Sequence, residues 1–439
     1  MQTSVWLFAP PLLLFVVAAS ALAQQSTLAT WVANEEAAAS ASKLAHFAEA
    51  EKLLLANEKL AETFPPKDAR LPRTIFDLAQ IYRAEGKYSD ALPRYERALQ
   101  IYTTLYGAES TELADTLDGE GELYRSLNDY PHAEPLLVKS LAIRQKILPQ
   151  DSREAAQSKN DLGEVYTATE TYDKAEPLLL EALATRRKAA PESVEVAQSL
   201  EALGTLYSRT KRSQQAEQSF KEAVSIFGKT VGGEHPDYAN ALESLALHYQ
   251  ARKDFVTAEP LLTRVLEIRK AVFGSEHRDV ATSLDNLAAL NAAEGKSREA
   301  AAGYEQAIAL WEKLLGPDNP ELASDLNNLA AIYEFSRERQ KAEPLFLRAI
   351  ALDEKALGPE SPELGTDLNN LGFLYVQLKR YDEALKAYQR ALAIRRKTSG
   401  ETDPDVKQTL GGYASALHGL HRDAEAQQIE DRLGLTGPK

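Results

Sequence analysis

A tyrosine returns along this chain about every 42 residues, as at Tyr82, Tyr124 and Tyr166. An alanine follows the tyrosine at a fixed distance, and only glycine or alanine stands three positions before it. The tyrosine column continues, with two replacements, through Tyr207, Tyr249, Asn291, Tyr333, Tyr375 and Leu417. Self-similarity at a period of this length is the signature of a repeat array. We therefore expect one stack of similar units, and not two or three unrelated domains.

Each unit has the pattern of two amphipathic helices. In the first helix, leucines four and seven positions before the tyrosine fall on one face, and the small residue beside them lets a partner helix approach closely. In the second helix, the alanine is followed one turn later by a large apolar residue such as Leu137, Leu179 or Phe220. Each helix thus has one apolar face. A single helix pair cannot bury both apolar faces, so neighbouring pairs must stack around a shared core. The sequence predicts an all-α solenoid over residues 45–433, with about nine to ten antiparallel helix pairs.

Prolines and acidic residues mark the helix ends. Acidic groups in "YSDA" and "YDEA" suit the positive N-terminal end of a second helix. In the linkers "LGPDNPEL" and "LGPESPEL", Asn-Pro and Ser-Pro predict an N-cap and a first-turn proline of the next first helix. A second set of prolines is predicted to lie in the first turn of the second helices, and comprises Pro93, Pro135, Pro177, Pro260 and Pro344.

The first residues have the pattern of an export signal. No charged side chain occurs in the first 34 residues, and an apolar run ends in Ala21-Leu22-Ala23, the small-x-small pattern that signal peptidase cuts. We predict that residues 1–23 are a signal peptide cleaved after Ala23, that 24–44 form an N-terminal helix and that 434–439 form a tail. The mature chain would then be periplasmic or secreted. The alternative is an uncleaved membrane anchor, because about 20 apolar residues can span a bilayer.

The composition excludes several function classes. The chain contains no cysteine, which rules out disulfides, thiolate metal sites and cysteine nucleophiles. Its formal net charge of -15 argues against a nucleic-acid or anionic-membrane partner. His418 and His421 are the best metal-like pair, but they lack further ligands. The repeats leave no room for a catalytic domain and no phosphate loop or serine elbow occurs, so we predict no catalysis, no metal and no cofactor.

The repeat resembles a known family. The stretch "LNNLAAIYEFSRERQKAEPLFLRAI" has the order leucine, small residue, tyrosine, alanine, aromatic, alanine that resembles the tetratricopeptide repeat (TPR). The long unit with its "GPDNPELA" linker is similar to the kinesin light chain subtype, here of a secreted bacterial type. The resemblance implies a right-handed superhelical solenoid whose first helices line a concave inner groove. The heptad coiled coil of a kinesin light chain is absent, and the leader speaks against a motor-cargo role.

Paired asparagines stand in the first helices, in "LNNLA" and "LNNLG". In TPR proteins that clasp peptides, asparagines at matching positions grip the peptide backbone, and the resemblance implies this role for Asn286, Asn328 and Asn370. The alternative is that these amides tie adjacent repeats together by local hydrogen bonds. The other residues that we predict to bind a peptide are Asn327, Asn369, Asp285, Asn160, Phe373, Glu201 and Glu243.

The two halves of the predicted groove differ in chemistry. The N-terminal half is polar and acidic, through Asp115, Asp118, Glu122, Glu164, Glu201 and Glu243. The C-terminal half is more apolar, through Ala289, Ala292, Ala331, Phe373 and Val376. We expect a neutral to basic protein or peptide partner with an apolar anchor near Phe373. The alternative for the acidic half is a solvated face that binds nothing.

Two charged residues interrupt the apolar columns. Glu120 replaces a column leucine, and Lys159 replaces a leucine or isoleucine of the next unit. Because an unpaired buried charge is costly, we predict that they pair across the repeat interface.

The predicted function is that of an exported TPR scaffold that binds partner proteins or extended peptide segments in its concave groove. The alternative is a structural or assembly subunit of a cell-envelope complex that acts through its ends or its convex face. The last helix, near residues 423–433, is polar enough to close the stack, so we expect a monomer without stable membrane insertion. Its polar residues are Asp423, Glu425, Gln427, Gln428 and Asp431.

Overall fold

The computed structural model describes residues 11–433, and it describes side chains from residue 25 onward. Within this range the chain forms twenty α-helices and no strand, so the predicted all-α class of repeated helix pairs is confirmed. The helices fall into two compact units, residues 1–248 and 249–439, which we describe separately.

Unit 1 contains five helix pairs and the helix α11, which ends just past the unit boundary. Its helices are α1 (Pro11–Lys43), α2 (Phe47–Ala61), α3 (Arg70–Ala84), α4 (Tyr88–Tyr106), α5 (Thr111–Ser126), α6 (Tyr130–Ile147), α7 (Arg153–Ala168), α8 (Tyr172–Ala189), α9 (Val194–Arg209), α10 (Ser213–Thr230) and α11 (Pro236–Ala251).

Unit 2 contains α12 and four helix pairs. Its helices are α12 (Phe255–Phe273), α13 (Arg278–Glu294), α14 (Ser297–Leu315), α15 (Leu322–Phe335), α16 (Arg339–Leu357), α17 (Pro362–Gln377), α18 (Tyr381–Ser399), α19 (Pro404–Gly419) and α20 (Asp423–Leu433). In both units we call the odd-numbered helices first helices and the even-numbered ones second helices.

The N-terminal helix is longer than the sequence predicts. α1 begins at Pro11 and not near residue 24, so the predicted cleavage site after Ala23 falls inside its range. Residues 1–10 and 434–439 lie outside the described residues, and with them the start of the predicted signal peptide and the predicted tail. Cleavage stays a prediction. Across the part of the chain that could be searched, no helix is long and apolar enough to cross a membrane.

Close approach of the two helices in a pair depends on the small residue before the tyrosine. A Cβ added to Gly163 on α7 would lie 2.6 Å from Leu179 Cδ2 on α8, and one added to Gly204 on α9 would lie 2.7 Å from the Phe220 ring on α10. Real Cβ atoms do not come this close to another carbon, because the interior is packed as densely as an organic crystal. The predicted role of the small column is therefore confirmed.

The turn between the helices of a pair places one residue in the left-handed region in every repeat. After α5, for example, Asn128 has φ 58°, and the next amide, of Asp129, donates to the carbonyl of Tyr124 at 2.8 Å. This arrangement satisfies the last carbonyls of the first helix. The left-handed residues are Ala45, Gly86, Asn128, Glu170, Lys211, Lys253, Gly295, Arg337, Lys379 and His421. Only two of these residues are glycine, so the residue type at this position does not predict the turn.

Serine caps begin several first helices, as the Ser-Pro linker predicts. The Ser361 hydroxyl accepts the amide of Leu364 at 3.2 Å, and Pro362 opens α17. The Asn-Pro linker behaves differently, because α15 begins only at Leu322 with Glu321 as its N-cap residue. Asn319 and its proline precede the helix, so the first-turn position of the proline is wrong. The Asn319 side chain nevertheless accepts the amide of Glu321 at 2.8 Å, as a capping residue does.

The second set of prolines lies deeper in the helices than predicted. Pro93 is the sixth residue of α4, which begins at Tyr88, and the other four hold the same place in their helices. They occupy the second turn, so the first-turn prediction is wrong. All five are exposed, which leaves the carbonyl that loses its amide partner in contact with water.

The first helices form the inner side of each stack. They touch one another directly, as α5 with α7 and α7 with α9 in unit 1, and α17 with α19 in unit 2. A second helix packs instead between the first helix of its own pair and that of the next, as α8 does with α7 and α9 and α16 does with α15 and α17. We call the side formed by the first helices the inner face of the unit.

Candidate functional site

Two ion pairs connect neighbouring first helices along the inner face of unit 1. Arg83 on α3 lies 2.8 Å from Glu122 on α5, and Arg125 on α5 lies 2.7 Å from Glu164 on α7. Each arginine directly follows the repeat tyrosine, so both pairs hold the same register. The pairs are partly shielded from water, and each compensates one of the acidic groups that the sequence assigns to the groove.

Asn160 belongs to the internal hydrogen bonding of unit 1. Its side chain on α7 is buried, its amide nitrogen donates to Glu164 at 2.7 Å, and its oxygen accepts the hydroxyl of Ser199 on α9 at 2.9 Å. Both polar atoms are thus used within the chain. At this position the structure favours the alternative that the amide ties adjacent repeats together.

Asp115 and Asp118 are also satisfied within unit 1. The guanidinium of Arg144 on α6 pairs with both carboxylates, at 2.6 Å from Asp115. Asp118 is buried and accepts the Ser158 hydroxyl as well. These two acids therefore bring little negative charge to the inner face.

Glu201 on α9 is an acid of the inner face that forms no ion pair within the described residues. Its carboxylate accepts the Ser244 hydroxyl on α11 at 3.3 Å. Burial, together with the neighbouring carboxylates of Glu164, Asp237 and Glu243, raises the pKa of Glu201 to about 8 despite that hydrogen bond. Glu201 therefore retains a proton near neutral pH, and a cation brought beside it would favour its ionised form. The acidic zone is narrower than the acidic half that the sequence predicts.

The asparagines of unit 2 differ in their environments. Asn370 on α17 donates to Asn327 on α15 at 3.2 Å, so this pair ties two repeats together. Asn328 is exposed and hydrogen-bonds the Tyr304 hydroxyl, while Asn286 is half-buried on α13. The three asparagines that the resemblance assigns to peptide binding are therefore not equivalent.

Two further predicted residues of unit 2 are oriented into the stack. Asp285 accepts the indole N–H of Trp311 at 2.9 Å. Asn369 is buried, and its side-chain oxygen has no hydrogen-bond partner in the described structure. Neither side chain is placed to meet a ligand that lies on the surface.

Phe373 is a large apolar residue that is exposed on a first helix of unit 2. Its ring on α17 is 50% exposed. Val376 and Ala331 beside it are half-buried against the core, as is Ala289, and Ala292 is exposed. The apolar character that the sequence predicts for this half is present in the structure.

The comparisons with known proteins identify the repeat. The profile of the tetratricopeptide repeat matches residues 70–146, 154–229, 237–310, 298–355 and 363–432. The chain belongs to the tetratricopeptide repeat family. TPR proteins of this kind are scaffolds typical of protein–protein interaction. Among curated proteins, no sequence matches this chain.

Solved TPR structures resemble the chain at low sequence identity. The kinesin light chain-like TPR repeats of Podosopora anserina are 28% identical, with a TM-score of 0.43 over 47% of this chain and 99% of that one. A Rap protein complexed with competence and sporulation factor is 13% identical, with a TM-score of 0.56 over 84% of this chain and 98% of that one. Aspartyl phosphate phosphatase F from Bacillus subtilis is 14% identical, with a TM-score of 0.50 over 85% and 94%. The last two likenesses concern the fold alone.

Arginines near the ends of four second helices fasten successive TPR pairs together, and the sequence analysis missed them. In unit 1, Arg186 on α8 donates to the Glu195 carbonyl at 2.9 Å and to the Ser199 hydroxyl at 2.7 Å, both on α9. In unit 2, Arg395 makes the same contacts with α19. We call these contacts arginine clamps, and they are formed by Arg144, Arg186, Arg269 and Arg395. The sequence signal for these contacts is an arginine at the same position of several second helices, together with a serine or threonine at a fixed position of the next first helix.

Glu120 and Lys159 do not pair with each other, so that prediction is wrong. Lys159 on α7 contacts Glu181 on α8 at 2.8 Å. Glu120 on α5 has one buried carboxylate oxygen without a partner, and burial and Glu96 raise its pKa against the opposing effect of Lys139 on α6. The two residues occupy different columns, four and seven places before their tyrosines. Each is influenced by an opposite charge on the second helix of its own pair, Lys159 by direct contact and Glu120 only by the field of Lys139.

The predicted absence of catalysis and of metal binding stays a prediction. In the described range, no group of three or more histidine and acidic side chains is arranged to hold a metal ion. His418 contacts Asp423 at 2.7 Å and Glu430 at 3.2 Å, which joins α19 to α20.

Proposed function

We propose that this TPR chain is an exported scaffold that binds a basic segment of a partner protein on the inner face of unit 1. The observation that carries the proposal is the shielded carboxyl group of Glu201, which accepts the Ser244 hydroxyl and has no basic partner among the described residues. Export rests on the predicted signal peptide, residues 1–23.

The register of the ion pairs shows what is missing. Arg83 and Arg125 follow the repeat tyrosines of α3 and α5, whereas Thr167 and Ser208 hold that place on α7 and α9. Glu122 and Glu164 stand two places before their tyrosines, where α9 has Thr205, so the row of pairs ends at Glu164. Glu201 lies one turn earlier on α9, and no guanidinium of the described residues pairs with it. A lysine or arginine of a partner, laid along the first helices, would supply that charge. A charge-assisted hydrogen bond in a shielded site is stronger than one on an open surface.

Unit 2 is proposed to bind an apolar side chain of the partner. Phe373 is half-exposed on the inner face and is bordered by Val376 and Ala331. A large ring exposed in this way gains from being covered, by about 25 cal/mol for each Å² removed from water. The exposed Asn328 lies on the neighbouring first helix and offers a donor and an acceptor to a peptide backbone. A Rap protein of the same fold is solved as a complex with competence and sporulation factor, which supports binding as a use of this architecture.

A peptide-display selection tests the proposal directly. The chain from residue 24 onward is used to select random peptides, and the double variant Glu201→Gln/Glu243→Gln is used in parallel. We expect peptides enriched in lysine and arginine, with affinity that falls as salt rises because the contact is ionic. The double variant should lose most of this binding. The matched control, Asp90→Asn/Asp173→Asn, removes the same charge from exposed first turns of second helices and should bind as the wild type does.

Two results would refute the proposal for unit 1. One is a selection without enrichment of basic residues. The other is equal loss of binding in the control variant, which would point to net charge and not to the inner face. For unit 2, Phe373→Ala should weaken the selected peptides that carry an apolar anchor, and should leave purely basic peptides unaffected.

A further inference from the structure

Two successive repeat interfaces of unit 2 lack the arginine clamp. At the clamped interfaces an arginine of the second helix meets serine or threonine of the next first helix, as Arg395 meets Thr409 at 2.6 Å. Between α16 and α17 the same two places are held by Asp353 and Asp367. A hydrogen bond from a cation to a hydroxyl is thus replaced by two acids.

Asp353 and Asp367 form a buried pair. They are 8% and 5% exposed, and their side chains are within hydrogen-bonding contact. One oxygen of Asp367 is enclosed and receives no hydrogen bond from any donor of the described residues. Two ionised carboxylates in contact would repel each other and leave that oxygen unsatisfied. A proton on one of the two carboxyl groups removes both penalties.

A second pair of acids lies at the preceding interface, between α13, α14 and α15. Asp325, in the place of the clamp serine, is 8% exposed and contacts Asp285. Trp311 stands where other repeats have the clamp arginine, and its indole donates to one oxygen of Asp285. The other oxygen of Asp285 is enclosed without a partner. We call these two pairs the carboxyl pairs.

The surrounding charges do not neutralise the carboxyl pairs. Burial, followed by the other acid of the pair, raises the pKa of Asp325 and of Asp367 to about 8, and Glu363 on α17 adds to this at Asp367. No lysine or arginine of the described chain is among the groups that shift either pKa. Several basic residues of the packed helices have other contacts, among them Arg278 with Glu321, Arg348 with Glu312, Arg390 with Glu354 and Arg395 with the carbonyl of Asp405.

We propose that each of these two interfaces is closed by a single proton shared between its two carboxyl groups, so that the stack from α13 to α18 opens more readily as the pH rises through neutrality.

The direction follows from proton linkage. In the closed state the pair retains a proton that an opened, hydrated pair releases at about pH 4. Between that value and the raised pKa, opening releases about one proton for each pair. The stabilisation is therefore complete at acidic pH, declines as the pH rises, and is lost above about pH 8. The equilibrium constant for opening should rise about tenfold per pH unit for each pair that opens.

Hydrogen exchange of the full chain from pH 5.5 to pH 8.5 measures this opening. Protection factors, corrected for the intrinsic pH dependence of exchange, should fall with rising pH for the amides of α13 to α18. The amides of α19, which Arg395 clamps to α18 and whose single acidic residue, Asp405, is exposed, are the internal control and should change little. Equal pH dependence at both kinds of interface, or none at the carboxyl pairs, would overturn the proposal.

Variants of the acids give a second, independent readout. Asp325→Asn and Asp367→Asn supply a donor without a titrating proton, so protection should become flat with pH. Asp353→Arg/Asp367→Ser rebuilds an arginine clamp and should have the same effect at its interface. In wild-type protein at pH 7, infrared spectra should contain a carbonyl band of protonated carboxylic acid that the asparagine variants lack. If the band is absent in the wild type, or if Ca²⁺ restores protection at pH 8.5 after chelator treatment, a shared proton is the wrong description.

Discussion

The sharpest test of the fold is the substitution Gly163→Ala on α7. The added Cβ would lie 2.6 Å from Leu179 Cδ2 and 2.7 Å from Leu179 Cγ. Leu179 is fully buried, so its branch point cannot move aside freely. Overpacking of this kind costs about 1–3 kcal/mol, whereas replacing a helical glycine by alanine gains about 1 kcal/mol. We expect a net loss of about 1 kcal/mol in the stability of the α7–α8 pair.

Gly411→Ala on α19 is the matched control. It is also a mid-helix glycine, but nothing lies within 4 Å of its added Cβ. The gain in helix propensity is then the only effect, and it should stabilise the α19–α20 pair by about 1 kcal/mol. The changes in the free energy of unfolding that the two substitutions cause should have opposite signs and differ by about 2 kcal/mol.

Local hydrogen exchange under native conditions is the suitable assay, because repeat arrays do not unfold in a single global step. Protection is compared over α7–α8 for Gly163→Ala and over α19–α20 for Gly411→Ala. Adding Leu179→Ala to Gly163→Ala should cost less than the sum of the two single substitutions, since the clash disappears. If Gly163→Ala stabilises as much as Gly411→Ala, the small column does not determine helix spacing.

Three further predictions concern the clamps, the turns and the final helix. Arg186→Met should destabilise the α8–α9 interface by about 2–3 kcal/mol, because it leaves buried acceptors without their charged donor. Arg187→Met, on the surface, should cost at most about 1 kcal/mol. Urea titrations of both variants measure the difference. Lys211→Gly should stabilise by up to about 1 kcal/mol by relieving its positive φ, and Lys211→Ala should not, as thermal melts would show. The contact with Asp423, then that with Glu430, raises the pKa of His418, so its stabilisation of α20 is complete below about pH 6.5 and is lost as the pH rises through the raised value. Hydrogen exchange of α20 should show this loss in the wild type and not in His418→Gln.

The sequence predicts those features of the fold that depend on the periodic spacing of apolar and small residues. The columns that contain Gly163 and Leu179 can be recognised in the sequence, because the two helices of every repeat pack against each other in the same way. The turns were harder to predict, because their left-handed residue is lysine, glutamate or asparagine as often as glycine. Such turns are determined by the hydrogen bond back to the tyrosine carbonyl, which constrains the backbone and not the residue type.

Polar partners across repeats were the least predictable feature. Lys159 shows the reason: the sequence indicates that a charge enters the core, but not which of two flanking second helices the column faces. The arginine clamps occur in only some repeats, so no unbroken column revealed them. Asn160 illustrates the same difficulty for the candidate site, since one residue type can tie repeats together or meet a ligand, and only its contacts distinguish the two roles.

These contacts change where specificity should be sought on the inner faces. A side chain that already satisfies its hydrogen bonds gains little by exchanging them for a ligand, because the exchange leaves an internal partner unpaired. Asn370 and Asn160 are in this position, and their amides hold neighbouring first helices together. Glu201 and Phe373 are not in this position, because Glu201 has no basic partner among the described residues and a cation would favour its ionised form, and Phe373 leaves half its ring in water. Under the proposed function, a cation would gain at Glu201 in unit 1 and an apolar side chain at Phe373 in unit 2, in each case without breaking an internal hydrogen bond. The asparagines would then position the binding surfaces, and the acid and the aromatic ring would select the ligand of each unit.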